Sequence, residues 1–115
     1  MFEKLRYKWI KLNEDQSYKL KVLEMSKPTF VRVEDHRICV VRLQEGWFGV
    51  NNVCPHAGAA LHAGYCNKNG IVACPVHGYK FNVKTGISVD GNNYHVKTFK
   101  IDNREDGFYV GIKKF

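Results

Sequence analysis

Hydrophobic and polar residues alternate along several stretches of this chain, with the period of two that is typical of β-strands exposed to water on one face. One such stretch is residues 18–22 (YKLKV), and another is residues 108–112 (FYVGI), near the C-terminus. Residues 38–43 (ICVVRL) are instead apolar on both faces for most of their length and rich in β-branched side chains. This last segment is predicted to be a strand in the interior of a sheet.

Polar turn sequences recur at short intervals between the apolar stretches. They fall at residues 34–36, 44–46, 67–70, 90–93 and 102–107. No segment has a convincing helical pattern, and we interpret Asn13–Ser17 as a turn. Short strands joined by frequent turns predict an all-β, antiparallel sandwich or barrel. A chain of 115 residues is long enough for a single domain, residues 1–115.

Two stretches lack the alternation and predict irregular loops. They are residues 51–69 (NNVCPHAGAALHAGYCNKN) and residues 74–80 (CPVHGYK), both crowded with small residues, cysteine and histidine. Loops of this kind in a β-protein need a reason to be ordered, because small residues bury little apolar surface. A bound metal centre would supply that reason.

Each loop contains one cysteine and one histidine, Cys54 with His56 and Cys74 with His77. If the loops face each other, these side chains make a site of two thiolates and two imidazoles. Two chemistries fit such a site, a [2Fe–2S] cluster with one pair of ligands on each iron, and a single tetrahedral zinc ion. The one residue between Cys54 and His56 is a tight spacing for two ligands of one metal, which favours the cluster.

The residues around the candidate ligands suit loops that surround a cluster. Pro55 and Pro75 follow the two cysteines and stiffen the backbone. Glycines at positions 58, 64 and 78 permit backbone geometry that other residues resist. Such loops can direct amide N–H groups at cluster sulfurs, where hydrogen bonds stabilise the reduced state.

Composition narrows the setting of the protein. The chain carries 18 basic and 11 acidic residues, a net charge of +7, but no nucleic-acid-binding motif accompanies this excess. No apolar run is long enough to span a membrane, and the N-terminus has no signal-peptide pattern, so we expect a cytoplasmic protein. For its four cysteines, metal binding or burial is therefore a better interpretation than disulfides.

The segment from Cys54 to Gly86, CPHAGAALHAGYCNKNGIVACPVHGYKFNVKTG, resembles the cluster-binding region of Rieske ferredoxins almost throughout. The resemblance covers residues 51–86 and implies an antiparallel Rieske-type fold of stacked sheets, with these residues as a small, loop-rich cluster-binding subdomain. It also implies one Rieske-type [2Fe–2S] cluster on Cys54, His56, Cys74 and His77. In the family each ligand histidine presents its second ring nitrogen at the surface, so we expect both to serve as electron exits.

Four positions depart from the Rieske proteins of respiratory and photosynthetic cytochrome complexes. Those proteins carry a disulfide between cysteines at the positions of Ala59 and Val76, so no such bridge forms here. They also have a serine and a tyrosine, which donate hydrogen bonds to the cluster, where this chain has Tyr79 and Phe81. With fewer donors, we expect a reduction potential toward the low end of the Rieske range, about −150 mV rather than about +300 mV.

The resemblance implies a one-electron carrier and not an enzyme. Its expected partners are a flavin-containing reductase and a terminal oxygenase or similar redox enzyme, with no nucleic acid and no membrane span. A second hypothesis is a Rieske-like small subunit of a nitrite reductase complex. A third, remote one is a zinc-stabilised binding module without a redox role.

Other residues with metal-binding or aromatic side chains are assigned structural roles. We expect His36 in a turn, His62 in an exposed loop and His95 on a strand, all at the surface. Cys39 is expected to be a buried small hydrophobe, and Cys66 is not needed as a fifth ligand. We place Trp9, Trp47 and Phe48 in the core. A solvated strand face is favoured over a docking patch for the basic residues Lys4, Arg6, Lys8 and Lys11.

Overall fold

The computed structural model describes residues 6–114, which form two antiparallel sheets and a short α-helix. In chain order the elements are β1 (Tyr7–Lys11), α1 (Glu14–Lys21), β2 (Thr29–Val33), β3 (His36–Leu43), β4 (Gly46–Asn51), a 3₁₀ helix (Leu61–Ala63), β5 (Tyr65–Cys66), β6 (Ile71–Ala73), β7 (Lys80–Asn82), β8 (Thr98–Arg104) and β9 (Gly107–Lys113). The larger sheet has the order β1-β9-β8-β4-β3-β2, and the smaller has the order β5-β6-β7. The prediction of an all-β, antiparallel fold is confirmed.

Strand β3 lies in the interior of the larger sheet, between β2 and β4, as the apolar pattern of residues 38–43 predicts. Both faces of this strand are buried because each contacts a different core. The side chains of Cys39, Val41 and Leu43 belong to one core, and those of Ile38 and Val40 belong to the other.

The two cores divide the molecule into a side with the candidate ligands and a side with the helix. The site-side core joins the two sheets and includes Cys39, Val41, Leu43, Val50, Cys54, Leu61, Cys66, Val72, Cys74, Phe81, Val83 and Val96. The helix-side core includes Leu12, Leu20, Val31, Val33, Ile38, Val40, Phe99, Phe108, Val110 and Ile112. Because Cys54 and Cys74 are part of the first core, the candidate site is attached directly to the packed interior.

Helix α1 contradicts two predictions made from the sequence. Asn13–Ser17 is not a simple turn, and residues 18–22 do not form a strand. Asn13 is the N-cap of the helix, and its side-chain oxygen accepts a hydrogen bond from the Gln16 amide at 2.8 Å. Acidic residues in the first turn and lysines in the last turn interact favourably with the helix dipole and stabilise the helix. The alternation of residues 18–22 was misleading because Leu20 alone is buried, whereas Tyr18 is 66% exposed.

Tertiary hydrogen bonds join α1 to three strands of the larger sheet, β2, β4 and β9. The indole N–H of Trp47 donates to the Leu20 carbonyl at 2.8 Å, and the Phe108 amide donates to the Ser17 hydroxyl at 3.1 Å. The side chain of Gln16 exchanges two hydrogen bonds with the backbone of Arg32. A short helix with one buried side chain is marginal by itself, and these contacts to the sheet supply the missing stabilisation.

The remaining predictions of local structure are mostly confirmed. Residues 108–112 lie in β9, and the polar turns separate the strands as expected. Three turns are narrower than predicted. His36 and Gly46 are already the first residues of β3 and β4, and the turn at 102–107 keeps only residues 105 and 106 between β8 and β9. No helix in the described part of the chain is long and apolar enough to cross a membrane.

Candidate metal centre

The two loops that carry the candidate ligands have matching backbone connections. The first follows β4, and the Cys54 amide donates to the Ala59 carbonyl at 2.9 Å. The second follows β6, and the Cys74 amide donates to the Tyr79 carbonyl at 2.7 Å. In both loops a cysteine N–H thus closes a turn on the residue five positions later. The cysteine and the histidine of each loop lie within its closed turn. Because both turns are closed by the same kind of hydrogen bond, the two loops have similar backbones.

The two cysteines meet at the buried base of the site. Cys54 is 1% exposed and Cys74 is 2% exposed. Burial raises the pKa of the Cys74 thiol, the N–H of Val76 directed at its sulfur lowers this pKa, and a hydrogen bond with Cys54 raises it. The two thiols therefore lie near enough to influence each other, within the same buried core, and a backbone amide is directed at Cys74. A metal ion would bind both as thiolates, and the Val76 N–H would then stabilise negative charge on the sulfur.

The two histidines lie beside each other further out. The ring centroids of His56 and His77 are 5.3 Å apart, with 54° between the ring planes. His56 is half-buried and His77 is exposed. His77 has the left-handed backbone conformation, with φ at +65°, and Gly78 follows at +70°. This conformation is unfavourable for a histidine, and strain of this kind is typical of residues whose position has a function.

The Nδ1 atom of His56 is buried and has no hydrogen-bond partner among the described residues. A buried polar atom without a partner costs about 1–3 kcal/mol, so such atoms are rare unless a ligand satisfies them. A ring nitrogen is a good ligand for iron or zinc when it carries no proton. The unpaired Nδ1 therefore fits a metal-binding role for His56, and the donor set fits the cluster that the sequence predicts.

The four residues form two pairs and not one compact group. In residues 6–114 no three His, Cys, Asp or Glu side chains stand together as ligands of a single metal ion would. The sulfur pair is at the buried base and the imidazole pair is toward the surface. A binuclear Rieske-type cluster needs its ligands in two such pairs, since one iron binds two thiolates and the other binds two imidazoles.

The other two cysteines lie in strands, Cys39 in β3 and Cys66 in β5. Cys39 is fully buried in β3, as predicted for a small hydrophobe. Burial, with a smaller contribution from the nearby Cys66, raises the pKa of Cys39 to about 12. Burial also raises the pKa of Cys66 to about 11. Buried thiols of this kind are poor nucleophiles, so packing explains both residues.

The other histidines have structural surroundings. His62 was predicted to be exposed, but it is half-buried, with its ring 5.3 Å from Phe30 and its Nδ1 2.9 Å from the side-chain amide of Asn52. His36 begins β3 and packs its ring edge-on against Phe99 at 5.4 Å. His95 is exposed and forms an isolated β-bridge, close to its predicted place on a strand.

The aromatic and basic residues largely agree with their predicted roles. Trp47 and Phe48 pack against the two cores, and Trp9 is partly buried. Lys8 pairs with Glu34 and Lys11 pairs with Asp106, both as exposed ion pairs, so these lysines belong to a solvated strand face. Lys4 lies outside the described residues.

Sequence reasoning missed Asn52, which holds the first loop to the larger sheet. Its amide donates to the Arg37 carbonyl at 2.9 Å, and its carbonyl accepts from the Leu61 amide at 2.7 Å. Its side-chain oxygen also accepts from the His62 amide at 2.8 Å. In the sequence Asn52 is one polar residue at the start of the predicted loop 51–69, and this gives no indication that it is buried.

Sequence reasoning also missed the tyrosines around His56. The Tyr79 ring is parallel to the His56 imidazole, with centroids 3.8 Å apart. The Tyr94 ring meets the same imidazole edge-on at 5.8 Å. Tyr94 comes from a segment 38 residues after His56, so the sequence alone gave no indication of this contact.

The fold and the paired donors describe a small antiparallel β-domain with a candidate metal site of two cysteines and two histidines. The profile of the Rieske [2Fe–2S] domain matches residues 9–100, and the chain belongs to this family. A Rieske-type cluster with two cysteine and two histidine ligands is the cofactor of such a domain. The cofactor prediction is therefore confirmed, and the zinc alternative is not supported.

Similar proteins include both ferredoxins and a nitrite reductase subunit. The ferredoxin component of an alkene monooxygenase system from Xanthobacter autotrophicus is 23% identical over 60% of this chain and 57% of its own length. The solved Sphingomonas yanoikuyae B1 ferredoxin is 28% identical, with a TM-score of 0.69 over 84% of this chain and 93% of its own. A Mycobacterium tuberculosis chain assigned as an NADH-dependent nitrite reductase small subunit is 20% identical, with a TM-score of 0.78 over 95% of this chain and 98% of its own.

Proposed function

We propose that this chain is a one-electron carrier whose Rieske-type cluster is bound by Cys54, His56, Cys74 and His77. The observation that carries the proposal is the convergence of the two loops, which places Cys54 and Cys74 in the same buried core and the imidazole centroids of His56 and His77 5.3 Å apart. The unpaired Nδ1 of His56 supports it. Residues 51–86, which include the small sheet and both loops, would form the cluster-binding subdomain.

The four ligand residues would set the net charge of the cluster site, and one of them would connect the site to the protein surface. When bound, the cluster supplies reversible one-electron chemistry. The thiolates of Cys54 and Cys74 contribute two negative charges, and the neutral imidazoles contribute none, which makes electron uptake easier than in a site with four thiolates. Burial of the cysteines keeps water away from the sulfurs, while the exposed His77 connects the site to a partner.

The proposed role is that of a carrier between other proteins and not that of a catalyst. The Xanthobacter relative is the ferredoxin component of a monooxygenase system, which supports delivery of electrons to a terminal oxygenase. The matched segment spans 57% of that relative's length. That this chain has the same kinds of partner is therefore part of the proposal. A flavin-containing reductase would supply the electrons.

The surroundings of the site support a potential at the low end of the Rieske range. Phe81 is fully buried in the site-side core and has no hydroxyl to donate to a cluster ligand. Tyr79 places its ring flat against His56, which differs from the arrangement of a serine hydroxyl directed at a sulfide. With the Val76 amide as the donor seen at Cys74, we propose a potential nearer to about −150 mV than to about +300 mV.

A nitrite reductase small subunit is the second candidate. Its support is the fold of the Mycobacterium tuberculosis chain, which superimposes with a TM-score of 0.78 over 95% of this chain. Affinity purification of the tagged chain from its own organism would separate the two roles. Recovery of a stoichiometric nitrite reductase large subunit would favour this candidate, whereas a free chain that reduces an oxygenase would favour the carrier.

The cytoplasm is the compartment we propose for this activity. All four cysteines are free thiols in the structure, which suits a reducing environment. The buried thiols of Cys39 and Cys66 add no requirement for oxidative folding.

A reductive titration of the purified holoprotein tests the proposed function. A carrier with one cluster takes up one electron per chain, and a Nernst plot of the EPR amplitude against potential follows a one-electron curve. The reduced protein is then mixed anaerobically with an oxidised terminal oxygenase from the same organism. Uptake of no electron, or a reduced protein that no oxygenase or nitrite reductase can oxidise, would refute the carrier role.

A further inference from the structure

The two candidate histidines are covered to different extents. His77 is exposed, whereas His56 is half-buried. The ring of Tyr79 lies 3.8 Å from the His56 imidazole with 10° between the planes, so that it covers one face of the imidazole at van der Waals distance. No tyrosine ring in residues 6–114 is stacked on His77 in this way. The site is therefore asymmetric, although its two loops have similar backbones.

Tyr94 extends the cover over His56. Its ring meets the imidazole edge-on at 5.8 Å and also packs against Tyr79 at 5.8 Å. The three rings thus form one continuous aromatic group, in tilted, edge-on and stacked arrangements that are favourable for aromatic pairs. Tyr79 and Tyr94 together are called the tyrosine cap.

The backbone fixes both members of the tyrosine cap. The Tyr79 carbonyl accepts the hydrogen bond from the Cys74 amide, which ties its position to a candidate ligand. The Tyr94 carbonyl accepts from the Ser88 amide at 3.2 Å, and the Tyr94 amide donates to the Asn92 side chain at 2.8 Å. A β-bridge between Ile87 and His95 closes the same segment. The backbone thus holds the two tyrosines in position, and the contacts among the three rings hold the rings against His56.

We propose that the tyrosine cap closes the His56 side of the site, so that electrons leave through His77. This inference rests on the proposed function, in which both histidines bind the cluster. Electron tunnelling weakens steeply with distance, so a ring that covers one face of His56 keeps an acceptor further from the imidazole on that face and slows transfer there. In each transfer the site loses one electron and the oxidised metal centre of the acceptor gains it, and no covalent bond forms or breaks.

The oxidation of the reduced holoprotein by hexacyanoferrate(III) tests the cap without a protein partner. This small oxidant can approach any imidazole surface that the protein leaves uncovered, and high ionic strength suppresses its attraction to the basic surface. Stopped-flow rates are compared for the wild type, Tyr79→Ala and Tyr79→Phe. The matched control is Tyr18→Ala, because Tyr18 is a 66% exposed tyrosine on α1. The visible and EPR spectra and the potential of each variant are recorded, and each rate is corrected for the change in driving force.

Tyr79→Ala is expected to raise the corrected rate about two-fold, because a second imidazole becomes available for productive encounters. Tyr79→Phe keeps the stacked ring and should retain the wild-type rate, as should Tyr18→Ala. An unchanged rate in Tyr79→Ala would overturn the proposal. A slower rate would overturn it too, because the ring would then be a path for electrons and not a cover.

A second variant keeps the proposal testable if Tyr79→Ala fails to assemble its cluster. Tyr94→Ala removes the outer ring alone and should give a smaller increase in the corrected rate, and an unchanged rate there would overturn the cap. A wild-type protein that takes up no electron defeats the proposed function before any of these rates can be measured. Equal rates in a protein that does carry one electron defeat the cap alone.

Discussion

The four cysteines are all buried, so burial does not distinguish the candidate ligands from the others. Their neighbours do. Cys54 and Cys74 lie near enough to influence each other's thiol, at the base of two loops that each carry a histidine. Cys39 and Cys66 lie elsewhere in the site-side core, within the two sheets. Whether a thiol is a candidate metal ligand or a packed core side chain therefore depends on whether it lies in a histidine-bearing loop or in a strand.

Replacement of Cys74 by serine should abolish or severely impair cluster assembly, because a serine oxygen is a poor substitute for a thiolate on iron. The measurement is the iron content per chain, together with the visible absorption of the purified variant. Cys66→Ala is the matched control, since it removes a buried thiol outside the candidate site, and it should retain the cluster. A Cys74→Ser protein with the native EPR signal would contradict the ligand assignment.

The raised pKa of Cys39 predicts a loss of stability in alkali. A thiol with a folded pKa of about 12, well above its ordinary value of 9.0, stays protonated in the folded state while the unfolded chain releases its proton. Its contribution is fully present below pH 9 and is lost as the pH rises toward 12. The free energy of unfolding from urea titrations should therefore fall more steeply over this range than in Cys39→Ala, by at most about 1.4 kcal/mol per pH unit. Equal slopes would show that burial of this thiol is not maintained.

At the scale of residues, the sequence predicted the candidate ligands but not their neighbours. Cys54 with His56, and Cys74 with His77, lie within short motifs whose chemistry can be read locally. The contact between His56 and Tyr79 joins residues 23 positions apart, and it depends on how the two loops meet. Without the tertiary structure, both histidines looked equally exposed.

At the scale of elements, helix α1 shows how a local pattern can mislead. The apolar residues at positions 18, 20 and 22 suggest a strand, but the cap at Asn13 and the hydrogen bonds to the sheet stabilise a helix. Only Leu20 of this stretch enters a core. The strands, by contrast, were predictable where one face or both faces are buried, as in β3 and β9.

Asn13→Ala should destabilise the protein by about 1 kcal/mol, because the Gln16 amide loses its capping acceptor. The measurement is the midpoint of urea unfolding at neutral pH, with no change expected in the EPR signal. Asn13→Asp is the control, because its carboxylate can accept the same hydrogen bond at the N-terminus of the helix. If Asn13→Ala is as stable as the wild type, the cap does not stabilise the helix.

Gly64 marks a close approach between the chain after the 3₁₀ helix and β6. A Cβ at this position would overlap the carbonyl oxygen of Ala73, the residue directly before Cys74. Gly64→Ala should therefore push the second loop outward, reduce stability by about 3 kcal/mol and lower cluster occupancy. The readouts are thermal unfolding and iron content.

Gly91→Ala is the control for Gly64→Ala. A Cβ there would meet no atom within 4 Å, and only its φ of +81° is unfavourable for alanine. We expect a loss of about 1 kcal/mol from this backbone strain and full cluster occupancy. Equal effects of the two substitutions would show that the contact with Ala73 does not hold the second loop in place.

At the scale of the whole molecule, the two cores predict that the loops and the larger sheet respond differently to loss of the cluster. The helix-side core contains none of the candidate ligands and should keep β3 and β9 folded. The loops around residues 53–63 and 74–80 bury few side chains and would lose the bonds that order them. In hydrogen exchange, the apoprotein should lose protection in these loops and retain it in β3 and β9. Loss of protection throughout would mean that the cluster organises the entire fold.

Pulsed EPR of the reduced, purified protein is the most direct test of the central claim, a [2Fe–2S] cluster bound by Cys54, His56, Cys74 and His77. We predict the signal of a reduced binuclear cluster with couplings to two imidazole nitrogens, both of which change when the histidines are labelled with ¹⁵N. His77→Cys should remove one of the two couplings. A colourless protein with stoichiometric zinc, or a cluster signal without nitrogen coupling, would contradict the claim.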